Sequence, residues 1–362
     1  MSGRPLVVIG DVLLDREVIG TVDRLCPEAP VPVLAQTSTM DRPGGAGLAA
    51  LLAAGGGREV VLVGAFSADE AGDLVRELLT RAGVRVVALP LHGPTPEKIR
   101  LRAGEHLLLR VDRGEATGTI GGVPPDAQAA LRAASAILVS DYGRGMTAVP
   151  QLRLALAGRA HAVPVVWDPH PRGERPVPAV RLVTPNRSEA ASLLPKQDGA
   201  PGPNGAASSN GANGGGSGAN GKAANGFGPW SPDATSAPDS GASHDQRELA
   251  GAAAAAVRLR RYWSAGAVAV TLAERGAVLS DGVSPPMLLP APFAARGDSC
   301  GAGDRFASAA LTALAGGAMV VDAVASAVQA ATAFVAAGGA LALGPPAPED
   351  RAASLAAAGE GQ

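Results

Sequence analysis

A glycine turn followed by an aspartate, Gly301-Ala302-Gly303-Asp304, has the residue types needed for phosphoryl transfer to a hydroxyl group. The residues from Phe306 to Leu314 are mostly small and predict a helix that packs closely against a sheet. The first N–H groups of a helix have no intrahelical partner and attract anions. Asp304 would lie beside this anion site, where its carboxylate could take a proton from an alcohol. The alternative is an ordinary glycine turn with a first-turn acid, and a lone Gly-x-Gly run does not decide between the two.

Polar residues elsewhere could hold a sugar. Asp15 follows the first predicted strand, and a carboxylate there can bind hydroxyls through charge-assisted hydrogen bonds. Gly44 and Gly45 precede a small-residue helix, and glycine lets bare backbone approach a ligand. Lys98 and Arg110 lie in a predicted hairpin that could clamp an anionic sugar. The alternatives are a strand-ending turn, a flexible loop and the solvated face of a strand.

Asn186 and Glu189 are three residues apart, so both would lie on one face if a helix begins there. An amide and a carboxylate together could hold a hydrated Mg²⁺, which keeps several waters and uses few protein ligands. The alternative is helix capping, with Asn186 as N-cap and Glu189 reaching back in a capping box.

Short apolar runs alternate with Ala- and Leu-rich stretches along the chain. This rhythm predicts βαβ units, and so an α/β fold with a mostly parallel sheet between two helix layers. The predicted strands are Leu6–Ile9, Val60–Val63, Val84–Ala88, Ala136–Val139, Val163–Trp167, Arg181–Val183, Ala267–Thr271 and Ala277–Ser280. The predicted helices are 45–54, 69–82, 126–135, 150–161, 247–265 and 304–316. Ligands of such sheets gather at the carboxyl ends of the strands.

Three segments interrupt the alternation. Residues 16–40 and 91–112 predict two antiparallel strand pairs that form a small sheet away from the main body. Residues 195–248 contain no Val, Ile, Leu or Met, so they cannot bury enough apolar area to offset the entropy of ordering. We therefore expect a disordered insertion there, which is too long for an ordinary loop. The remainder, residues 1–345, is predicted to be a single domain, followed by a flexible tail at 346–362.

The composition narrows the class of protein. Of 362 residues, 46% are hydrophobic, which is enough for a large core. The net charge is −2 with no basic run, which argues against nucleic acid or an anionic membrane as partner. No leader or bilayer-length apolar run is present. The two cysteines, Cys26 and Cys300, form no disulfide framework or metal-ligand spacing, so we expect a cytoplasmic protein.

Taken together, these motifs resemble the ribokinase-like (PfkB) carbohydrate kinases, and within them the D-glycero-β-D-manno-heptose 7-phosphate kinases. The blocks that carry the resemblance follow in the family's order: 10–16, 27–33, 42–46, 95–102, 110–112, 140–145, 168–169, 184–189 and 301–304. The Pro-Glu-Ala-Pro-Val-Pro block at 27–32 and the Ser-Asp-Tyr-Gly-x-Gly block at 140–145 are specific to the heptose kinase branch. The resemblance covers nearly all of the chain outside 195–248.

The resemblance implies a β-lid on a large α/β domain, a homodimer through the lid, and transfer of phosphate from ATP to the anomeric hydroxyl of heptose 7-phosphate. Asp304 would be the base, and Gly301, Ala302 and Gly303 would supply the anion hole. The implied sugar-binding residues are Asp15, Gly44, Gly45, Lys98, Arg110 and Asp141. The implied residues for ATP and Mg²⁺ are Asn186, Glu189, Thr271, Gly276 and Gly303, with Asn186 and Glu189 acting on the metal through water. No His-x-Gly-His run is present, so only the kinase step is expected.

The chain departs from the family pattern at several positions. Leu48 replaces a sugar-binding asparagine, which would cost about 1–3 kcal/mol if a hydroxyl is left unpaired. Arg305 replaces a small residue and could hold phosphate or crowd the site. Ser299 replaces a threonine, and Cys26 replaces a serine. Cys300 lies beside the anion hole and is either oxidation-sensitive or inert. These changes leave two alternatives open: another sugar or sugar-phosphate kinase of this family, and an inactive homologue that binds sugar and nucleotide.

Overall fold

The computed structural model describes residues 3–104, 106–114, 118–195 and 244–343. The strands are β1 Leu6–Gly10, β2 Val12–Cys26, β3 Ala29–Gly45, β4 Val60–Phe66, β5 Val84–His92, β6 Glu97–Ala103, β7 His106–Arg113, β8 Thr119–Ile120, β9 Ala136–Ser140, β10 Val165–Asp168, β11 Leu182–Val183, β12 Val268–Thr271, β13 Ala277–Ser280 and β14 Met287–Leu289. The helices are α1 Ala46–Ala54, α2 Glu70–Arg81, α3 Pro125–Ala133, α4 Pro150–Ala160, α5 Arg187–Leu193, α6 His244–Trp263, α7 Ala302–Ala315 and α8 Val320–Ala336.

A large mixed sheet forms the centre of the molecule. In the described part of the chain its strand order is β14-β13-β12-β11-β10-β9-β1-β4-β5-β8. The strands from β12 to β5 in this order are parallel to their neighbours, and antiparallel strands β13, β14 and β8 extend the two edges. Strands β1, β4 and β9 are buried along their whole length, because helices cover both faces of the sheet.

Two apolar clusters fill the space between the sheet and its helices. One cluster packs α3, α4 and α6 against side chains such as Val7 and Ile9 of β1. The other packs α1, α2, α7 and α8 against Leu6 and Val8 of the same strand. Alternate residues of a strand point to opposite faces, so the run Leu6-Val7-Val8-Ile9 serves both clusters. The predicted three-layer α/β/α fold is confirmed.

A second, small sheet is present where the sequence predicts antiparallel strand pairs, and we call it the lid. Its strand order among the described residues is β3-β2-β6-β7, with antiparallel pairs β2–β3 and β6–β7 joined by a parallel pairing of β2 with β6. The predicted bounds of both strand pairs, 16–40 and 91–112, need correction. Strands β2 and β3 continue past 16–40 to Val12 and Gly45, and Leu91 and His92 belong to β5, where they pair with β8 in the large sheet.

A buried ion pair lies inside the lid. Glu17 of β2 is 0% exposed and Arg42 of β3 is 2% exposed, and their side chains are 2.8 Å apart. Arg100 and Arg102 of β6 approach the same carboxylate at 3.6 Å and 3.2 Å. A buried charge needs a partner, so these residues tie β3 and β6 to the central strand β2.

The chain divides into one unit of Met1–Leu194 with Leu249–Gln362 and a second unit of Pro195–Glu248. Most of the predicted insertion at 195–248, and the whole of the predicted tail at 346–362, lie outside the described residues. Within the described residues, no helix has the length and apolar character needed to cross a bilayer.

Candidate active site

The candidate site lies at the carboxyl ends of the parallel strands. Asp11 directly follows β1, Asp141 follows β9, Asp168 ends β10 and Thr271 ends β12. These ends meet at one edge of the sheet, which is where ligands of open α/β sheets bind. Helix α7 starts at the same edge and packs against β9 and β10. Asp304 is the third residue of α7, so its first-turn position brings it to the strand ends.

Asp304 is buried and hydrogen-bonded through one of its two oxygens. The Tyr142 hydroxyl donates to Asp304 Oδ2 at 2.8 Å, whereas Oδ1 has no hydrogen-bond partner among the described residues. Burial raises the pKa of Asp304 to about 7, and the hydrogen bond from Tyr142 counteracts part of this shift. A buried carboxylate with one free oxygen and a pKa near neutrality has the properties of a general base.

The glycine turn before Asp304 has the geometry of a helix N-cap. Gly301 caps α7 with a φ of 80°, a left-handed conformation that favours glycine. The Ala302 N–H donates to the Ser299 carbonyl oxygen at 3.1 Å, so in this conformation it is not available to an anion. Gly303 is exposed, and a Cβ built there would meet nothing within 4 Å. The turn therefore leaves open space at Gly303, at the positive end of the helix dipole.

A cavity of about 340 Å³ lies next to this turn. The predicted nucleotide-binding residues Thr271, Gly276 and Gly303 all line it. Apolar side chains complete the wall, among them Phe293, Phe306, Val328 and Val335. The cavity combines an apolar wall with the N-terminus of α7, which matches a ligand with an aromatic base and phosphate groups.

Lys98, Asp15 and Gly44 come together near Asp304. The Lys98 ammonium lies over the Tyr142 ring, 4.9 Å from its centroid, and burial lowers the Lys98 pKa while Asp15 counteracts it. Asp15 is buried and forms an ion pair with Arg100 at 3.0 Å. A Cβ added to Gly44 would lie 2.6 Å from Asp15 Oδ2, so glycine is needed beside this carboxylate.

Three other predicted sugar-binding residues are engaged within the protein. Both oxygens of Asp141 accept hydrogen bonds, from the Gly143 N–H at 2.7 Å and the Thr147 hydroxyl at 2.9 Å. Arg110 is half-exposed on the lid, where its Nε donates to the neighbouring Asp112 at 2.7 Å. Gly45 has a φ of 58°, and a Cβ there would collide with the Asp11 carbonyl oxygen.

Asp11 and Asp141 form a buried carboxylate pair that shapes the loop after β9. Asp11 accepts the N–H groups of Tyr142, Arg144 and Met146 at 2.9, 3.0 and 3.0 Å. Burial, and then the charge of Asp11, raise the pKa of Asp141 to about 7. The two carboxylates therefore hold the loop that presents the Tyr142 side chain to Asp304.

Asn186 and Glu189 form the capping box that the sequence offered as an alternative. Asn186 Oδ1 accepts the Glu189 N–H at 3.0 Å, and Glu189 Oε2 accepts the Asn186 N–H at 2.8 Å. Burial raises the pKa of Glu189. Among the residues that the structure describes, no cluster of three or more His, Cys, Asp or Glu side chains could bind a metal ion directly.

Asp168 lies near both Glu189 and Asp304 and was given no role by the sequence. Its Oδ1 accepts the Thr184 hydroxyl at 2.8 Å. Burial, followed by the charges of Glu189 and Asp304, raises its pKa well above the usual value. Its position at the end of β10 is the signal that could have identified it. Tyr142 was likewise given no role of its own, because nothing in the sequence shows that this residue of the 140–145 block reaches Asp304.

The departures from the family pattern have structural explanations. Leu48 is buried in a small apolar cluster with Leu52 and Ala340, and a Cβ on Gly301 would lie 2.8 Å from its Cδ2. Arg305 donates to the Leu52 carbonyl oxygen at 3.4 Å, near the end of α1. The side chain of Arg305 is therefore directed toward α1, because successive helix residues point in different directions.

Cys300 connects the lid to the loop before α7. Arg100 Nη2 donates to Cys300 Sγ at 3.4 Å, and burial raises the pKa of the thiol. A raised pKa leaves less thiolate at neutral pH, so the structure favours an inert thiol over an oxidation-sensitive one. Cys26 lies outside this region, in the lid hairpin, where it contacts Glu28.

Comparison with known proteins gives the same fold and a family. The sequence pattern of the pfkB family carbohydrate kinases matches residues 4–210. The bifunctional protein HldE of Streptomyces coelicolor is 47% identical over 348 residues, which are 96% of this chain and 63% of that protein. The protein of the same name from Nitrosococcus oceani is 39% identical over 193 residues, 51% of this chain and 39% of that protein. This chain thus spans less than two thirds of the length of these relatives.

Solved structures of two kinases share the fold. The Arabidopsis thaliana ribokinase complexed with ribose and ATP superposes with a TM-score of 0.59 at 18% identity, covering 95% of this chain and 96% of that one. The Escherichia coli phosphofructokinase-2 in complex with substrates and products gives 0.60 at 16% identity, covering 92% and 93%. At these identities the likeness concerns the fold alone.

Proposed function

Because this chain belongs to the pfkB family of carbohydrate kinases, we propose that it phosphorylates the anomeric hydroxyl of D-glycero-β-D-manno-heptose 7-phosphate with ATP. The hydroxyl oxygen bonds to the γ-phosphorus while the bond from that phosphorus to ADP breaks. The hydroxyl proton passes to Asp304. The products are ADP and the heptose 1,7-bisphosphate. Since the reaction consumes ATP, the proposal places it in the cytoplasm.

The observation that carries this proposal is the environment of Asp304. Its Oδ1 is buried and unpartnered, and its pKa of about 7 lets it be ionised before the reaction and protonated after it. It directly follows Gly303, which lines the nucleotide-sized cavity, and the charges of Asp15 and Lys98 act on its carboxylate. A base between a phosphate donor and a sugar acceptor is the arrangement that phosphoryl transfer requires.

Two kinds of observation support heptose 7-phosphate as the substrate, namely the resemblance of the sequence and the residues of the site. The blocks at 27–32 and 140–145 resemble the heptose kinase branch, and the relatives with 37–47% identity carry the name bifunctional protein HldE. In the site, Asp15 is oriented by Arg100, so its carboxylate is held in position to bind sugar hydroxyls. Lys98 and Arg110 of the lid supply positive charge for a phosphorylated sugar.

Mg²⁺ is part of the proposal, and the donor chemistry near α5 fits a hydrated ion. Asn186 is exposed and Glu189 is a partly buried carboxylate; Asn186 forms a β-bridge with Thr271, which lines the cavity. Burial and the charges of Glu189 and Asp304 raise the pKa of Asp168, and a nearby cation would favour its ionised form. Asn186 and Glu189 would hold the ion through water, and it would neutralise charge on the ATP phosphates. Gly301, Ala302 and Gly303 would bind the transferred phosphate, provided that the Ala302 N–H is released from Ser299.

Leu48 supports a second candidate, another sugar or sugar-phosphate kinase of the family. Its side chain is 1% exposed in an apolar cluster, so it offers no amide to a sugar hydroxyl. A site without that hydrogen bond discriminates less strongly between sugars that differ at one hydroxyl.

A substrate panel separates these candidates. We expect ATP-dependent ADP release, followed by a coupled assay, to have the highest kcat/KM with heptose 7-phosphate and to be lost in Asp304→Asn. A higher kcat/KM with ribose, fructose 6-phosphate or unphosphorylated heptose would favour the second candidate. Binding of ATP and sugar without turnover, unchanged by Asp304→Asn, would identify an inactive homologue.

We also propose that the lid forms a homodimer. Its strands expose large apolar side chains to solvent, namely Leu25, Val31, Leu107, Leu108 and Leu109. Strand β7 is an edge strand, whose unpaired backbone groups can pair with another chain. Apolar side chains on such an edge favour association with a second copy.

A further inference from the structure

We propose that Tyr142 is a positioning residue, which holds the Asp304 carboxylate so that Oδ1 faces the acceptor hydroxyl and keeps that carboxylate ionised. This inference rests on the proposed role of Asp304 as the base. The Tyr142 hydroxyl donates to Asp304 Oδ2 at 2.8 Å, which leaves Oδ1 as the oxygen without a partner. Without this hydrogen bond the Asp304 carboxylate would be free to rotate about χ2, and a half-turn would exchange the positions of Oδ1 and Oδ2.

Tyr142 is itself held from two sides. Its backbone N–H donates to Asp11 Oδ2 at 2.9 Å, so the loop after β9 is fixed to the end of β1. The Lys98 ammonium lies 4.9 Å from the centroid of its ring, a cation–π contact from lid strand β6. The ring therefore lies between the lid and the base, and its hydroxyl is pre-oriented toward Asp304. A pre-oriented donor loses little entropy when it binds the charged carboxylate.

The direction of the electrostatic effect follows from the charges around Asp304. Burial and the carboxylate of Asp15 on β2 raise its pKa, whereas the Tyr142 hydroxyl, the Lys98 ammonium and, to a smaller extent, the Ser140 hydroxyl lower it. Burial and the charges of Glu189 and Asp304 raise the pKa of Asp168 at the end of β10, which favours its neutral form beside Asp304. Without the Tyr142 hydroxyl, only the Lys98 ammonium and the smaller effect of the Ser140 hydroxyl would oppose burial and Asp15, so the carboxylate would bind its proton more tightly. The enzyme would then need a higher pH to have an ionised base.

The pH dependence of kcat in a Tyr142→Phe variant tests this role of Tyr142. We expect Tyr142→Phe to move the acidic limb of the kcat–pH profile upward by about one pH unit, and to lower kcat tenfold or more at pH 6 with little change in the KM for sugar. Tyr262→Phe is the matched control, since it removes the hydroxyl of the only other tyrosine, whose ring stacks on Arg175. An unchanged acidic limb in Tyr142→Phe, with active wild-type enzyme, would overturn the inference.

A second measurement needs no sugar substrate and no Tyr142 variant. In Tyr262→Phe protein labelled with ¹³Cζ-tyrosine, Tyr142 gives the one tyrosine resonance. We expect this resonance to shift with pH, with a midpoint near the Asp304 pKa of about 7, and to lose that shift in the Asp304→Asn background. A resonance that does not titrate, or titrates equally in both backgrounds, would contradict the hydrogen bond. Failure of turnover in wild-type protein would instead count against the proposed function and leave this readout intact.

Discussion

The burial of Asp304 should be measurable as a cost in stability. Its pKa is raised from 3.8 to about 7, so between these values the native state binds more protons than the unfolded state and stability falls as the pH rises. Above pH 7 the full penalty remains, on the order of 1–4 kcal/mol. Asp304→Asn removes the charge and keeps an oxygen that can accept from Tyr142. We therefore expect the variant to melt at a higher temperature than wild type at pH 8, and the difference to shrink at pH 5.

Asp126→Asn is a suitable control, because Asp126 is an exposed carboxylate in the first turn of α3. It should change the melting temperature little, and by a similar amount at both pH values. A lower melting temperature for Asp304→Asn at pH 8 would show that the ionised carboxylate is not destabilising and would remove the physical basis for its raised pKa.

At the residue scale, the sequence identified Asp304 but not its partner. The Gly-x-Gly-Asp spacing predicts an acid beside an anion site because all four residues are local in the chain. Tyr142 is 162 residues away, and the contact exists because β9 and α7 meet at one edge of the sheet. The direction of the Arg305 side chain could not be predicted for a related reason. Its chain position beside Asp304 suggested the site, whereas the helix turns its side chain toward α1.

The N-cap of α7 is the element whose geometry matters most for the site. Gly301 has a φ of 80°, and a Cβ there would lie 2.8 Å from Leu48 Cδ2. We expect Gly301→Ala to destabilise the protein by about 1–3 kcal/mol and to lower kcat more than it raises the KM for sugar, because α7 would shift relative to the cavity. Thermal unfolding and steady-state kinetics measure the two effects.

Gly83→Ala separates the backbone cost from the contact with Leu48. Gly83 follows α2 with a φ of 77°, and a Cβ there would meet nothing within 4 Å. It should therefore show the cost of a positive φ alone and leave kcat unchanged. If Gly301→Ala lost no more stability or activity than Gly83→Ala, the close packing of Leu48 against this turn would have no functional consequence.

At the element scale, local patterns were predicted better than contacts. The alternation of apolar runs and Ala-rich stretches predicted the strands and helices of the central sheet, apart from the edge strands β8 and β14 and the helices α5 and α8. Of these, only α5 was indicated by another motif, the spacing of Asn186 and Glu189. The capping box at Asn186 was foreseen as an alternative because all its atoms lie within four residues. The full lengths of β2 and β3 were not foreseen, because the pairing of these strands continues to Val12 and Gly45 in the main body.

The whole molecule presents an apolar lid to solvent, which leads to a prediction about assembly. Leu107 and Leu109 of β7 are large apolar side chains that are 51% and 56% exposed. We expect light scattering to give the mass of a dimer for wild-type protein and of a monomer for the double variant Leu107→Glu and Leu109→Glu. Leu154→Glu on α4, where the leucine is 78% exposed, should remain dimeric. A wild-type monomer would contradict the proposal.

The fold class can be predicted from the sequence more fully than the order of the strands in the sheet can. Alternating elements predict a parallel sheet with two helix layers, which the structure has. The order that places β1 between β4 and β9 depends on which helices cover which face, and this is settled by packing across the full chain. The residues at the strand ends become a site only through that order.

The most direct test of the account is the identity of the product made from heptose 7-phosphate and ATP. We predict that ³¹P NMR of the product will show a second phosphate ester, coupled to the anomeric proton, formed by wild-type protein and not by Asp304→Asn. A phosphate at any other hydroxyl, or the same product formed at the same rate by Asp304→Asn, would contradict the assignment of Asp304 as the base for the anomeric hydroxyl.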